Sequence, residues 1–201
     1  MYRNAMAVCR PAVAWWGRLE VEGLDSLPER GPVLVVGNHD SHWDPVTGWG
    51  GGNTSPPDQG AGQIDAWDVR GLRPVLDGMG QIPIERSAGD AEALSRAIEE
   101  LWNGACIGVF PEGTRSRGEV LRARSGVGRL ALDVPEAHVS LVAIEGTSDL
   151  TGFPRRPQLR VSFFDPAGGQ PRPDEDPGDL SARLLAEIRA LVPPSISYRK
   201  R

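Results

Sequence analysis

Apolar positions along this chain follow two periods in turn. Residues 18–24, RLEVEGL, change face at every step, which is the period of a strand with one side in a core. PVLVVGN, residues 32–38, is apolar without a break and predicts a strand buried on both faces. GQIPIER (80–86) predicts a short strand and ACIGVF (105–110) another buried one, and HVSLVAIEG (138–146) and QLRVSFFDP (158–166) add two more. Helical spacing alternates with them. DAEALSRAIEELWNG (90–104) places Ala91, Leu94, Ile98 and Leu101 on one stripe and stops at Gly104. GVGRLALD (126–133) predicts a short helix, and DLSARLLAEIRALV (179–192) a closing amphipathic one capped near Asp179 or Ser181. GWGGGNTSPPDQGAG (48–62) is expected to be a loop, and AGGQPRPDEDPG (167–178) a solvated linker. Together these elements predict one α/β domain with a mixed, mostly buried β-sheet flanked by helices. No internal repeat and no second core is evident.

Residues 5–19 carry Val8, Val13, Trp15, Trp16 and Leu19, with Arg3, Arg10 and Arg18 nearby, and Pro11 to kink a helix or fix its start. This pattern predicts an amphipathic helix with two alternative roles: packing on the body of the protein, or lying at a membrane surface, where Trp and Arg suit the headgroup zone. The expected organisation is a helix over 1–19, a body over 20–192 and a basic tail over 193–201.

Composition narrows the functions. Hydrophobic residues make up 39% and charged residues 24% of 201, which is globular, and the net charge of −5 argues against general nucleic-acid binding. No apolar run is long enough to span a bilayer, and Arg10 and Pro11 break the N-terminal stretch that a secretory leader would need. Cys9 and Cys106 form no C-x-x-C pair. The expected location is the cytoplasm, with contact at the inner face of the membrane as an option.

Candidate chemistry concentrates in two loops. VVGNHDSHWDPV (35–46) holds two of the three histidines directly after the buried run. His39 and Asp44 stand five apart. Across a tight turn entering a helix, that spacing can bring a carboxylate to the second ring nitrogen of an imidazole, giving a general base and its orienter with no protein nucleophile required. His39, His42 and Asp44 are also three of the ligands a zinc site needs, although only His138 remains to extend the set. Polar residues capping a helix are the plain alternative. The second loop, VFPEGTRSRG (109–118), follows another buried strand with a glycine, a threonine and two arginines, which suit a phosphate or carboxylate. Glu112 and Arg115 could equally be a simple ion pair. GVGRLA is not preceded by a buried strand and is no dinucleotide fingerprint, and Ala123 stands where a nucleophile elbow would need glycine.

Taken together, NHDSHWD and FPEGTRSR resemble the glycerolipid acyltransferase family of lysophosphatidate acyltransferase type. Asn38, His39 and Asp44 match its N-H-x-x-x-x-D motif, and Phe110 to Ser116 match F-P-E-G-T-R-S without a gap. Gly80, Ile82, Pro83, Ile84 and Arg86 match its intervening G-x-I-P-[IV]-x-R motif. The likeness runs from residue 18 to about residue 165. It implies acyl transfer from a thioester, on coenzyme A or acyl carrier protein, to an acceptor hydroxyl, with His39 as base and Asp44 holding its ring. Asn38, Arg86, Glu112, Gly113, Thr114 and Arg115 would bind substrate. No metal and no organic cofactor is implied. Trp67 and Asp68 stand where the family usually carries a lysine, so the acceptor is expected to differ from lysophosphatidate. The alternatives are the same chemistry on a non-phospholipid acceptor, and a non-catalytic acyl- or membrane-binding protein on this scaffold.

Overall fold

The computed structural model describes residues 15–48, 59–63, 81–84, 90–150 and 156–195. Among them a single sheet runs through seven strands: β1 (Arg18–Glu22), β2 (Val33–Gly37), β3 (Gln59–Gln63), β4 (Gln81–Ile84), β5 (Cys106–Val109), β6 (His138–Glu145) and β7 (Gln158–Phe164). Their spatial order is β1-β7-β6-β2-β5-β3-β4, parallel throughout except for the antiparallel β6–β7 pair. The expected mixed α/β sheet is therefore what forms.

The unbroken apolar run supplies the central strand. β2 is buried at every position and is hydrogen-bonded on both sides, with Val33 opposite Cys106 in β5 and His138 in β6. Leu34 and Val36 face the larger core, which is closed by three helices: α2 (Asp90–Trp102), α3 (Gly126–Asp133) and α4 (Pro177–Leu191). Leu101, Leu130, Leu184 and Ile188 reach into it from those helices. Val33 and Val35 face the opposite side and pack with Val142, Ile144, Val161 and Phe163, with Leu24 and Leu27 beside them. A parallel strand covered on both faces has no solvent side, which is why its sequence does not alternate.

Residues 59–62 lie within the stretch expected to be loop, yet with Gln63 they form β3. Gly60 to Gln63 pair with Gln81 to Ile84 of β4, while Gln59 and Gly60 pair with Ile107 and Gly108 of β5. Pairing with strands on both sides overrides the low strand propensity of a glycine-rich sequence. The cap of α4 also differs from expectation. Asp176, not Asp179 or Ser181, caps the helix, its carboxylate accepting from the Gly178 and Asp179 N–H groups, and Pro177 takes the first helical position. Residues 167–178 are solvent-facing but tied down. The Gln170 side chain pairs with both backbone groups of Val139, and Glu175 is held by Arg183 of α4.

Helices α3 and α4 meet at Gly128, whose N–H donates to Ser181 Oγ at 2.8 Å. A Cβ there would lie 1.9 Å from the Pro177 carbonyl oxygen, a backbone atom that cannot step aside alone. Gly128→Ala should therefore destabilise the fold by about 1–3 kcal/mol, read as a lower urea midpoint at unchanged slope. An unchanged midpoint would show that the helices separate freely.

Candidate active site

The two motif loops leave the carboxyl ends of adjacent parallel strands, β2 and β5, where α/β sheets commonly place ligands. The chain leaves β2 through Asn38 and His39, then turns into a short helix, α1 (Asp44–Gly48), with Asp44 as its first residue. His39 Nδ1 lies 3.0 Å from Asp44 Oδ2. The same oxygen accepts from the N–H groups of Asp40 and Ser41, each at 2.7 Å. Oδ1 accepts from the Thr147 hydroxyl, just beyond β6. Asp44 is 0% exposed. With two backbone N–H groups already pointing at Oδ2, the facing ring nitrogen has to be a third donor. The proton of a neutral His39 therefore resides on Nδ1, and Nε2 keeps its lone pair.

The imidazole is held on its flat side as well. Its ring stacks on Phe110 with centroids 4.4 Å apart and planes 15° from parallel. Gly37 makes this possible, since a Cβ there would come within 2.9 Å of Val142 Cγ1 and 3.3 Å of the Phe110 ring. The His39 backbone is gripped from the second loop: its N–H donates to Glu112 Oε2 at 2.7 Å and its carbonyl accepts from the Ser116 N–H at 2.7 Å. Gly113 turns that loop at φ 65, a left-handed conformation that favours glycine, and a Cβ would strike the Arg124 side chain at 2.6 Å.

Several expected substrate-binding residues lie behind the site. Asn38 is fully buried, with its amide oxygen accepting from the Ile144 N–H and its amide nitrogen donating to the Ile144 carbonyl, both at 2.8 Å. It splices the end of β2 to β6 as a strand residue would. Glu112 is also buried, with Oε2 on the His39 N–H and Oε1 on Arg189. Burial holds its carboxyl above the usual range, against the pull of Arg189. Glu112 and Arg115, read from sequence as one possible ion pair, are not paired with each other among the described residues. Gly113, Thr114 and Arg115 are half-buried on the loop beside His39 and His42. Arg115 makes no ion pair among the described residues. Its guanidinium and partial burial of the ring lower the pKa of His42, burial being the larger cause. Arg86, Trp67 and Asp68 lie outside the described residues.

Four residues that the sequence reading missed complete the site. Asp40 accepts from the Ser116 hydroxyl and from Arg189; Thr147 holds Asp44; and Arg189 reaches in from α4. Arg189 had a local signal, because it stands four residues after Leu185 and beside Ile188 on the buried stripe of its helix. Asp40 and Ser116 stand inside the two motif loops, but nothing local shows that Asp40 pairs with Ser116 and Arg189, 76 and 149 residues away, and Thr147 had no signal, its partner Asp44 lying 103 residues away. Nδ1 of His39 faces Asp44 and both Asp44 oxygens are taken by donors, and among the described residues no three His, Cys, Asp or Glu side chains converge as a ligand set.

Comparison with known proteins bears on the same region. The family model for acyltransferases matches residues 18–147, which is most of the chain and includes both loops. The lyso-ornithine lipid O-acyltransferase of Pseudomonas aeruginosa is 32% identical over 149 residues, covering 70% of this chain and 55% of that protein. The 1-acyl-sn-glycerol-3-phosphate acyltransferase of Borreliella burgdorferi is 30% identical over 119 residues, covering 56% of this chain and 46% of that protein. The chain thus spans about half the length of these relatives. Among solved structures, the 1-acyl-sn-glycerophosphate acyltransferase of Thermotoga maritima superposes with a TM-score of 0.67 at 22% identity, over 96% of this chain and 80% of that one, and shares its fold. With its fold, its paired loops and the matched span in agreement, this chain belongs to the acyltransferase family.

Proposed function

We propose that this protein transfers an acyl group from a thioester, acyl-CoA or acyl carrier protein, to the hydroxyl of a lysophospholipid-type acceptor. The observation that carries the reading is the fixed His39–Asp44 pair, which leaves Nε2 unprotonated in the neutral ring. His39 Nε2 takes the acceptor hydroxyl proton as the oxygen attacks the thioester carbonyl. The tetrahedral intermediate collapses, the C–S bond breaks, and the imidazolium returns the proton to the departing thiolate. Asp44 stabilises the imidazolium between those steps. No acyl-enzyme is formed, and no metal or cofactor is required. Arg115, half-buried beside His42 without an ion-pair partner among the described residues, suits an anionic group on donor or acceptor.

A thiol-release assay tests this with acyl-CoA and acyl carrier protein donors against lysophosphatidate, lyso-ornithine lipid and uncharged hydroxyl acceptors. The names of the two relatives point to different acceptors, which is why both lipids belong in the panel. Release that requires an acceptor supports the reading, and its absence across the panel refutes it. Adding a chelator should leave the rate unchanged; a loss restored by zinc would assign the histidine cluster to a metal instead.

Membrane contact through the N-terminal segment is part of the same proposal. Among the described residues no helix is long and apolar enough to cross a bilayer. Trp15 and Trp16 have different surroundings: Trp15 is 73% exposed with Arg156 over its ring at 5.5 Å, while Trp16 Nε1 donates to the Leu150 carbonyl at 2.8 Å. Trp15→Ser should weaken co-sedimentation with anionic vesicles at unchanged thermal stability, whereas Trp16→Ser should lower stability. Equal vesicle binding by wild type and Trp15→Ser would remove Trp15 from any membrane contact.

A further inference from the structure

The closing helix α4 belongs to neither motif loop and lies beyond the family match at residues 18–147. One of its side chains nevertheless makes a dense set of contacts with residues of both motif loops. Arg189, 11% exposed, places Nη1 and Nη2 on the two oxygens of Asp40, each at 2.9 Å. Nε and Nη2 share Glu112 Oε1 at 3.1 and 2.6 Å, and Nη1 also donates to the Val192 carbonyl. Both carboxylates adjoin the His39 peptide. Asp40 is its chain neighbour, and Glu112 accepts its N–H.

We propose that Arg189 is a positioning residue for acyl transfer: a single cation draws together Glu112, which holds the His39 N–H, and Asp40, which holds the Ser116 residue bonded to the His39 carbonyl, and so sets the direction in which the imidazole faces the acceptor. This rests on the acyl-transfer reading above. The groups facing the two carboxylates are few. They are Arg189 from α4, the Asn38 amide and the His39 N–H at the end of β2, and the Ser116 hydroxyl from the second loop. The only cation bonded to them among the described residues is Arg189. Without it, two buried carboxylates would face each other across the gap, and either the loops part or one carboxyl binds a proton. Burial already raises the Glu112 carboxyl with Arg189 in place. A purely stabilising ion cluster would tolerate apolar replacement with no change in the chemistry of the folded protein.

The test uses Arg189→Met, which keeps the length of the stem, and Arg189→Lys, which keeps the charge but loses the fork. Arg189→Met is expected to lower kcat about ten- to a hundredfold at pH 8 with KM within about threefold, because misplacing a reacting group penalises turnover more than binding. The deficit relative to wild type should narrow as pH falls toward 6, since protonating a carboxyl relieves the repulsion. Adding Glu112→Gln to Arg189→Met should recover part of kcat at pH 8, and Arg189→Lys should fall between wild type and Arg189→Met. An unchanged kcat would overturn the inference. So would a loss equal at all pH values, tracking only the folded fraction and not rescued by Glu112→Gln. If Arg189→Met does not fold, Arg189→Lys and the double variant carry the same comparison. If wild type releases no thiol with any donor, the acyl-transfer reading fails by itself. The positioning claim is then read from the His39 imidazole resonances, identified by their loss in His39→Gln. A shift in Arg189→Lys supports a change in ring placement over Phe110, and an unchanged spectrum refutes it.

Discussion

His39→Ala should reduce acyl transfer by about 10²–10⁴-fold, the range that a positioned general base contributes. The fold should survive. The side chain that is removed touches Asp44 through one nitrogen and Phe110 through its face, while the contacts that tie the loops together run through the His39 backbone N–H and carbonyl, which alanine retains. Asp44 keeps its bonds from Asp40, Ser41 and Thr147. The measurement is kcat from thiol release, beside the far-ultraviolet circular dichroism and melting temperature of the same sample. Near-wild-type turnover in the folded variant would sink the base mechanism. His42, three residues further along the same turn, is not an equivalent substitute: it is largely exposed and has no carboxylate bonded to it among the described residues. Lowered by partial burial and the Arg115 charge, its pKa favours the neutral form at pH 7, so it contributes little fixed charge near the acceptor.

The sequence was most legible where one residue's environment is set by its near neighbours. The unbroken PVLVVGN run marked the central strand because burial on both faces leaves no polar position to alternate with. The five-residue step from His39 to Asp44 marked the turn because its geometry closes locally. Residues 59–63 were unreadable for the opposite reason: what makes them a strand is the partner on each side, and glycine-rich chain carries no local record of its partners. Asp176 is a different kind of miss. Asp-Pro at a helix start is a local signal, and it outweighs the polar residues three and five positions later because Pro177 is preorganised for the first helical position. Asn38 and Glu112 show the limit of reading roles from motif membership. Both stand in matched motifs, and the structure commits their polar atoms to Ile144, His39 and Arg189 rather than to an open surface. Arg189 completes that arrangement from a helix whose spacing reports burial and says nothing about which loops it meets.

Asp44→Asn separates the charge of the orienting group from its geometry, and the contacts around Asp44 say how. Three donors converge on the Oδ2 position, from His39, Asp40 and Ser41, and only Thr147 faces Oδ1. The new amide must therefore place its oxygen at Oδ2 and its nitrogen toward Thr147. The threonine hydroxyl can rotate to accept instead of donate. Every hydrogen bond is then kept, the proton of the neutral imidazole stays on Nδ1, and one negative charge is lost. A hydrogen bond to a charged partner is worth about 1.5–3 kcal/mol against about 0.5–1.5 for a neutral one. The imidazolium formed in the transition state should thus be less stable by about 1.4 kcal/mol or somewhat more, which is about tenfold to a few tens in kcat. Asp-to-Asn in a serine-protease triad costs about 10⁴-fold because the wrong tautomer is selected, and here two backbone N–H groups prevent that. Thr147→Val removes the group that accepts from the amide. Alone it should cost little, since Asp44 keeps its three other donors. Combined with Asp44→Asn it leaves the buried amide nitrogen without a partner, while the Asp40 and Ser41 N–H groups still hold the amide oxygen toward the imidazole. The double variant should therefore melt lower than either single variant yet keep a kcat close to the product of the two single effects. The decisive measurement is the coupling between the two substitutions in kcat, corrected for the folded fraction. If Asp44→Asn alone matches the loss in His39→Ala, the backbone donors do not fix the tautomer. If it costs nothing, Asp44 holds the loop and leaves the chemistry to His39.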